Sequence, residues 1–320
     1  MREHWDWYCW HDEDTRSRCG FFLPICEPWK TIGAHNEEFA DLFRDVGIAY
    51  DQPSPPRERP SEEYLAGLSL GDLFAQVDKS NYIRFWRILP EKVLAAEEGY
   101  LLQQLATGDA YRMILAFRGL GHLGTPRAFD VVKSYIEASE NADSIVRRRA
   151  FLAMEEMPAS LTLDLARQWF RRKEWYLHIP AGGILERHAA LEDVPLLIEA
   201  LRTPETLRYE DFRLSSALDA LARFDGIGPV PELEEVFRQV QHCFGRYRAA
   251  NAMEATAPVE FASKYAFECL WDCHWDTRKL GCEVVSLSTP GVLERLREIA
   301  ADAAQPESVR EAAQERLEGF

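Results

Sequence analysis

The sequence predicts an all-α protein: an α–α superhelix of about seven to eight stacked helix pairs, preceded by an irregular, aromatic-rich N-terminal cap. Three observations carry that expectation. A triplet at helix spacing, with a small residue, a second small residue three later and a large apolar one beside it, recurs along most of the chain. An apolar run accompanies each copy, and turn residues separate the two.

Residues 1–52 do not follow the triplet and are rich in rings, with Trp5, Trp7, Tyr8, Trp10, Phe21, Phe22 and Trp29. A solenoid exposes an apolar face at each end that something must cover. A folded cap with one helix over 38–46 is therefore expected, the alternative being a partner-binding arm. The segment also holds His4, Cys9, His11, Cys19, Cys26 and His35, residue types that zinc prefers. No Cys-x-x-Cys knuckle fixes a tetrahedral site, so buried thiols are expected and no metal is assigned. Residues 53–63 form a linker, because Pro53, Pro55, Pro56 and Pro60 forbid regular helix.

Residues 64–320 carry the repeat. Helices are expected over 70–77, 82–89 and 91–105 as a degenerate first unit, since terminal repeats are often atypical. The clearest triplet is Ala150, Ala153 and Met154. Others are Ala116, Gly119 and Leu120; Ala181, Ile184 and Leu185; Ala217, Ala220 and Leu221; Ala249, Ala252 and Met253. Looser copies follow at Gly281, Val284 and Val285 and at Ala313, Arg316 and Leu317. Their first positions are spaced by 34, 31, 36, 32, 32 and 32 residues, a helical-solenoid period. Spacing of three and four puts each triplet on one helix face, where small residues let a neighbouring helix approach. The companion helices are expected over 127–139, 161–172, 194–202 and 230–240. Gly124-Thr125-Pro126, Pro158, Pro204 and Pro290 mark the turns.

Val146-Arg147-x-x-Ala150-x-x-Ala153-Met154 resembles the second helix of short HEAT-like repeats, the kind found in phycobilisome lyases and their relatives. Val309-Arg310-x-x-Ala313 resembles it too, and Arg246 and Arg278 stand where Arg147 and Arg310 do. His178, Met113 and Leu214 depart, with Arg112 and Arg213 one residue early in the last two. The resemblance implies a HEAT/ARM-like solenoid and leaves function open.

A net charge of −16 argues against a general nucleic-acid binder, which needs a basic surface. The same charge would speed association with a basic partner. No run approaches the roughly 18–20 apolar residues of a membrane helix, and Met1-Arg2-Glu3-His4-Trp5-Asp6 lacks the start of a signal peptide, so a cytoplasmic protein is expected. Seven cysteines without an export signal read as reduced thiols. Cys269 and Cys273, four apart with His274 adjacent and Cys282 downstream, read as small thiols on a packing face.

Positive charge concentrates at Arg147, Arg148, Arg149, Arg167, Arg171, Arg172 and Lys173, followed by Trp175 and Tyr176. Arg149, Arg171 and Arg172 are the candidate anion-binding residues. Arg148, Trp175, Tyr176, Tyr247 and Trp275 are the candidate partner-binding residues, being large and set beside the second helices. Among HEAT-like enzymes, deoxyhypusine hydroxylases hold two irons on His-Glu dipeptides, and this chain has none. DNA glycosylases of this type line a groove with basic and aromatic residues around a carboxylate. Trp169, Trp175 and Asp164 are the matching set here, opposed by the negative charge. Bilin lyases share only the repeat. There is no Walker loop and no His-Glu-x-x-His, and no catalytic residue or cofactor is assigned. The expectation is a non-enzymatic scaffold or adaptor gripping another protein on its curved face, a basic one fitting the charge. The narrower alternative is an immunity protein that neutralises a basic toxin.

Overall fold

Small residues at helix spacing serve close helix approach, and each triplet does lie on a helix. The computed structural model describes residues 62–79, 81–107, 109–138, 144–202 and 212–319. Among them every regular element is helical. Entry is through α1 (Glu62–Gly67), α2 (Leu70–Gln76) and α3 (Tyr82–Ile88). Pairs then follow in chain order: α4 (Glu98–Leu105) with α5 (Ala110–Leu123), α6 (Pro126–Ala138) with α7 (Ser144–Glu156), and α8 (Ala159–Trp169) with α9 (Trp175–His188). Next come α10 (Val194–Leu201) with α11 (Phe212–Leu221) and α12 (Pro231–Gln239) with α13 (Cys243–Thr256). In the sixth unit the first helix is split into α14 (Pro258–Lys264) and α15 (Ala266–Cys269), packed on α16 (Trp275–Val284). α17 (Val292–Ala301) and α18 (Glu307–Glu318) complete the array.

The triplets sit on α5, α7, α9, α11, α13, α16 and α18. In each pair the first helix packs on the second, and each second helix packs on the next, so that α5, α7, α9, α11, α13, α16 and α18 form one continuous row. Ala116, Ala150, Ala153, Ala181, Ala217, Ala220, Ala249 and Ala252 are fully buried in it. Packing within the row and within a unit is tight enough to need glycine. A Cβ on Gly121 would stand 2.8 Å from the Cα and carbonyl oxygen of Ala153, and one on Gly281 2.9 Å from the carbonyl of Ala266. At the first expected turn Gly124 ends α5 in the left-handed conformation (φ 54°), where its N–H caps the Leu120 carbonyl, while the turn expected at Pro204 lies outside the described residues.

Arginine ties the units together in two registers. Arg187 donates to the Glu155 carbonyl (3.0 Å), Arg223 to the Glu186 carbonyl (2.8 Å) and Arg316 to the Val285 carbonyl (2.6 Å). Each satisfies an orphan carbonyl at the end of the preceding second helix, where the helix dipole also favours a cation. The repeat arginine three residues before each triplet points the other way along the array. Arg147 lies over the Trp175 ring (5.8 Å), Arg246 bonds Asp272 (2.8 Å) and Arg278 bonds Gln305 (2.9 Å), each in the following unit. His178, which departs from the arginine pattern, still bonds the loop carbonyl of Arg172 (2.7 Å), much as Arg278 bonds the carbonyls of Asp272 and Cys273.

Two expectations need correction. The helix expected over 91–105 is broken: Pro90 sits in a 3-10 turn (Leu89–Lys92), Val93 is extended, and Glu97 Oε2 accepts the Leu94 N–H (2.8 Å), so α4 begins only at Glu98. Cys273 does not share a helix face with Cys269, because α15 ends at Cys269. Residues 63–320 form one compact unit, and α1 starts at Glu62, at the end of the expected linker. The N-terminal cap, its helix over 38–46, its Cys/His set and the linker prolines lie outside the described residues.

Close packing predicts opposite outcomes for two glycines. Gly121→Val forces a branched side chain against backbone and should cost about 1–3 kcal/mol in urea unfolding. Gly99→Ala, with nothing within 4 Å of the added Cβ on α4, should be neutral or gain up to about 1 kcal/mol.

Candidate functional site

The positions two before, two after and five after each triplet's first residue share one helix face. On the second-helix row they place Arg148, Leu152 and Glu155 on α7, Ile179, Gly183 and Glu186 on α9, and Ser215 and Asp219 on α11 with Ala222 just beyond it. Tyr247, Asn251 and Glu254 follow on α13, then Lys279 and Glu283 on α16. All are half-buried except Glu283, which is exposed. They make a continuous stripe across five units, because each group's charge is felt by groups on the next helix.

The stripe is acidic and crowded. Glu155 is packed against Gly183, where a Cβ would stand 2.5 Å from its carboxyl carbon, and it pairs with Arg187 at 3.1 Å. Burial outweighs Arg187 and, with Glu186 adding repulsion, pushes the Glu155 carboxyl up to about 7. Burial and then the neighbouring Asp219 raise Glu186. Burial raises Asp219 against the pull of Arg248, which bonds it at 3.0 Å and reaches Ser215 at 3.4 Å. Glu254 is raised by burial, Asp225 and Glu283. Tyr247 is raised by burial and by Asp276 before any cation opposes it. Carboxylates in this state gain from an added positive charge.

Of the five candidate partner-binding residues, Arg148 and Tyr247 occupy equivalent positions on the stripe, two before the triplet. Arg148 is held below the usual guanidinium range by burial and by Arg149. Trp175 and Trp275 are equivalent in another way, each opening its second helix. Trp175 is 57% exposed beneath Arg147, whereas Trp275 is half-buried against the core. Tyr247 and Trp275 meet through His274, at 5.7 and 6.1 Å. Tyr176 is a correction: at 6% exposure its ring belongs to the core. Trp271, by contrast, is 60% exposed, with Arg295 at 3.8 Å over its ring.

The candidate anion-binding arginines do not converge. Arg149 packs over the Trp86 ring (4.5 Å), which Arg118 also covers (5.1 Å). Arg171 and Arg172 lie in the turn after α8, where Arg171 bonds the Arg167 carbonyl (3.1 Å) and Arg172 pairs with Glu174 and Glu137. The glycosylase-like set does not converge either. Trp169 is buried with its Nε1–H on Glu137 (3.0 Å), and Asp164 faces outward on Arg167 (3.0 Å).

Two strings match functional patterns by spacing alone, and both have structural uses. Gly119-Leu120-Gly121-His122-Leu123-Gly124 reads as a dinucleotide fingerprint but is the C-terminal end of α5, with no strand before it. Its glycines admit Leu101, Ala153 and Pro158 respectively. Gly67-Leu68-Ser69-Leu70-Gly71 has nucleophile-elbow spacing, yet Ser69 is the N-cap of α2 and exchanges hydrogen bonds with Asp72. Among the described residues no group of three or more His, Cys, Asp or Glu side chains is placed to hold a metal, and no helix is long and apolar enough to cross a membrane.

A family model described as the Vitellogenin TPR domain matches residues 56–162, roughly a third of the chain. Within the described residues that stretch runs from α1 into the first turn of α8. No curated protein matches the chain.

Glu155 gives the site a pH signature. Its folded pKa exceeds its unfolded one, so its contribution to stability is full below about pH 4.5 and is lost as pH rises through about 7. Glu155→Gln should remove that loss. The native-minus-variant difference in unfolding free energy should change by about 2–3 kcal/mol between pH 5 and pH 8, read by urea titration at both.

Proposed function

We propose that this chain is a non-enzymatic, HEAT-like repeat scaffold whose second-helix row grips another protein presenting basic groups. The observation that supports this reading is the acidic stripe from Glu155 to Glu283: burial lifts the carboxylates of Glu155, Glu186, Asp219 and Glu254, and neighbouring acids add to it at Glu155, Glu186 and Glu254, a state that a partner's lysines or arginines would relieve. Tyr247 and Trp175 supply ring surface at this row, Tyr247 on the stripe and Trp175 at the start of α9, the kind of side chain that anchors interfaces. The fold class agrees, since stacked helix pairs present extended surfaces for macromolecules.

The first experiment is affinity purification of the tagged protein from its native cell, analysing retained protein, nucleic acid and small molecules. A basic protein is expected, with a Kd that weakens at least tenfold between 50 and 300 mM salt, values chosen to span strong and weak screening. The charge reversal Glu186→Lys with Glu254→Lys should weaken that complex by on the order of a hundredfold while the helical circular dichroism is unchanged. One such partner at near-equal amounts would narrow the reading to a dedicated neutraliser of a basic toxin. Retention of nucleic acid or a chromophore without protein, or indifference to the double reversal, would overturn it.

A further inference from the structure

Two thiols lie on adjoining segments where α13 packs on α16. Cys243 is the first residue of α13, and Cys273 lies in the turn just before His274, the N-cap of α16. Cys273 is exposed, Cys243 is half-buried, both are free, and Cys273 is near enough to act on the Cys243 thiol. The surrounding turn is held from several sides. The Phe244 ring stacks on His242 (5.2 Å) and meets His274 edge-on (4.5 Å), joining the starts of the two helices. Arg278 bonds the carbonyls of Asp272 and Cys273 at 2.7 and 2.9 Å, and Asp272 accepts from Arg246 (2.8 Å) and from the His274 N–H (2.8 Å). The segments that carry the two thiols are thus held against each other by a fixed frame. Cys269 and Cys282 differ: both are fully buried, and burial pushes each thiol up to about 12.

We propose that Cys243 and Cys273 form a two-cysteine oxidation site that takes a peroxide and closes as a disulfide between consecutive units. The exposed Cys273 thiol meets the oxidant: its sulfur takes one peroxide oxygen, giving the sulfenic acid and one water. The Cys243 thiol then attacks that sulfur, forming the S–S bond and releasing the sulfenic oxygen as a second water. Two thiols lose two hydrogens and two electrons in total, and hydrogen peroxide is reduced to two waters. Cys243 suits the resolving role, because burial and the adjacent Cys273 raise its thiol and leave it a poor first target. Closure would lock α13 to α16 beside Tyr247 and Trp275. The site does not depend on the partner-binding reading.

The test treats the full-length reduced protein with hydrogen peroxide and maps its peptides without reduction. The expected product is a Cys243–Cys273 linked peptide, two hydrogens lighter than the pair, reversed by dithiothreitol. Cys243→Ser should instead leave Cys273 as a sulfenic acid that a dimedone probe captures, at least fivefold more than in the native protein. Oxidised native protein should also melt several degrees higher than reduced, with no such shift in Cys243→Ser. If peroxide sulfenylates Cys273 in the native protein without forming the link, or the mapped disulfides join other cysteines, the proposal fails. The native-protein peptide map decides the matter even where a variant folds poorly.

Discussion

The structure depends on how closely successive second helices can approach. Ala153 and Gly121 illustrate the limit, since backbone atoms on α7 occupy the volume a Cβ on α5 would need. That proximity buries the small triplet residues completely and fixes the spacing between units. It also leaves each second helix with carbonyls at its C-terminal end facing a neighbour. Arg187, Arg223 and Arg316 answer that demand, each from the unit that follows. Helix contact and carbonyl capping are two results of one distance.

Tight stacking has a price on the face opposite the triplets. Residues at the flanking positions are brought near their counterparts on the next helix, and where those residues are acidic they repel in a half-buried setting. Burial raises Glu155, Glu186, Asp219 and Glu254, and a neighbouring acid adds to it at Glu155, Glu186 and Glu254. A solvated helix surface would leave them near their ordinary values. The geometry that builds the core therefore also concentrates negative potential along one stripe.

Much of the architecture was legible because it follows from short-range rules. Triplet spacing located the second helices, and the companion helices over 126–138, 159–169, 194–201 and 231–239 fall within a few residues of expectation. What a sequence cannot show is where a long side chain ends. Arg147 looked like part of a basic patch, yet its guanidinium lies over Trp175 in the next unit, and Tyr176 beside it is core. The arginines six residues after their triplets, Arg187 and Arg223, share a register that alignment of the repeats could have exposed. The glycine string at 119–124 shows that spacing alone does not assign a motif, because helix packing and phosphate binding both select for absent side chains.

These destinations decide how the net charge of −16 is distributed. The arginines that make residues 147–172 look basic are largely spent inside the array. Arg149 and Arg118 cover Trp86, and Arg167 alone meets Asp164, Glu192 and Asp193. Arg172 is held by Glu174 and Glu137. Cations used in this way stabilise loops and unit junctions and add little to the field seen by an approaching molecule, whereas Glu254 and Glu283 keep acids for neighbours. The sequence's one basic segment is therefore largely a structural joint, and the charge left over in the chain is negative.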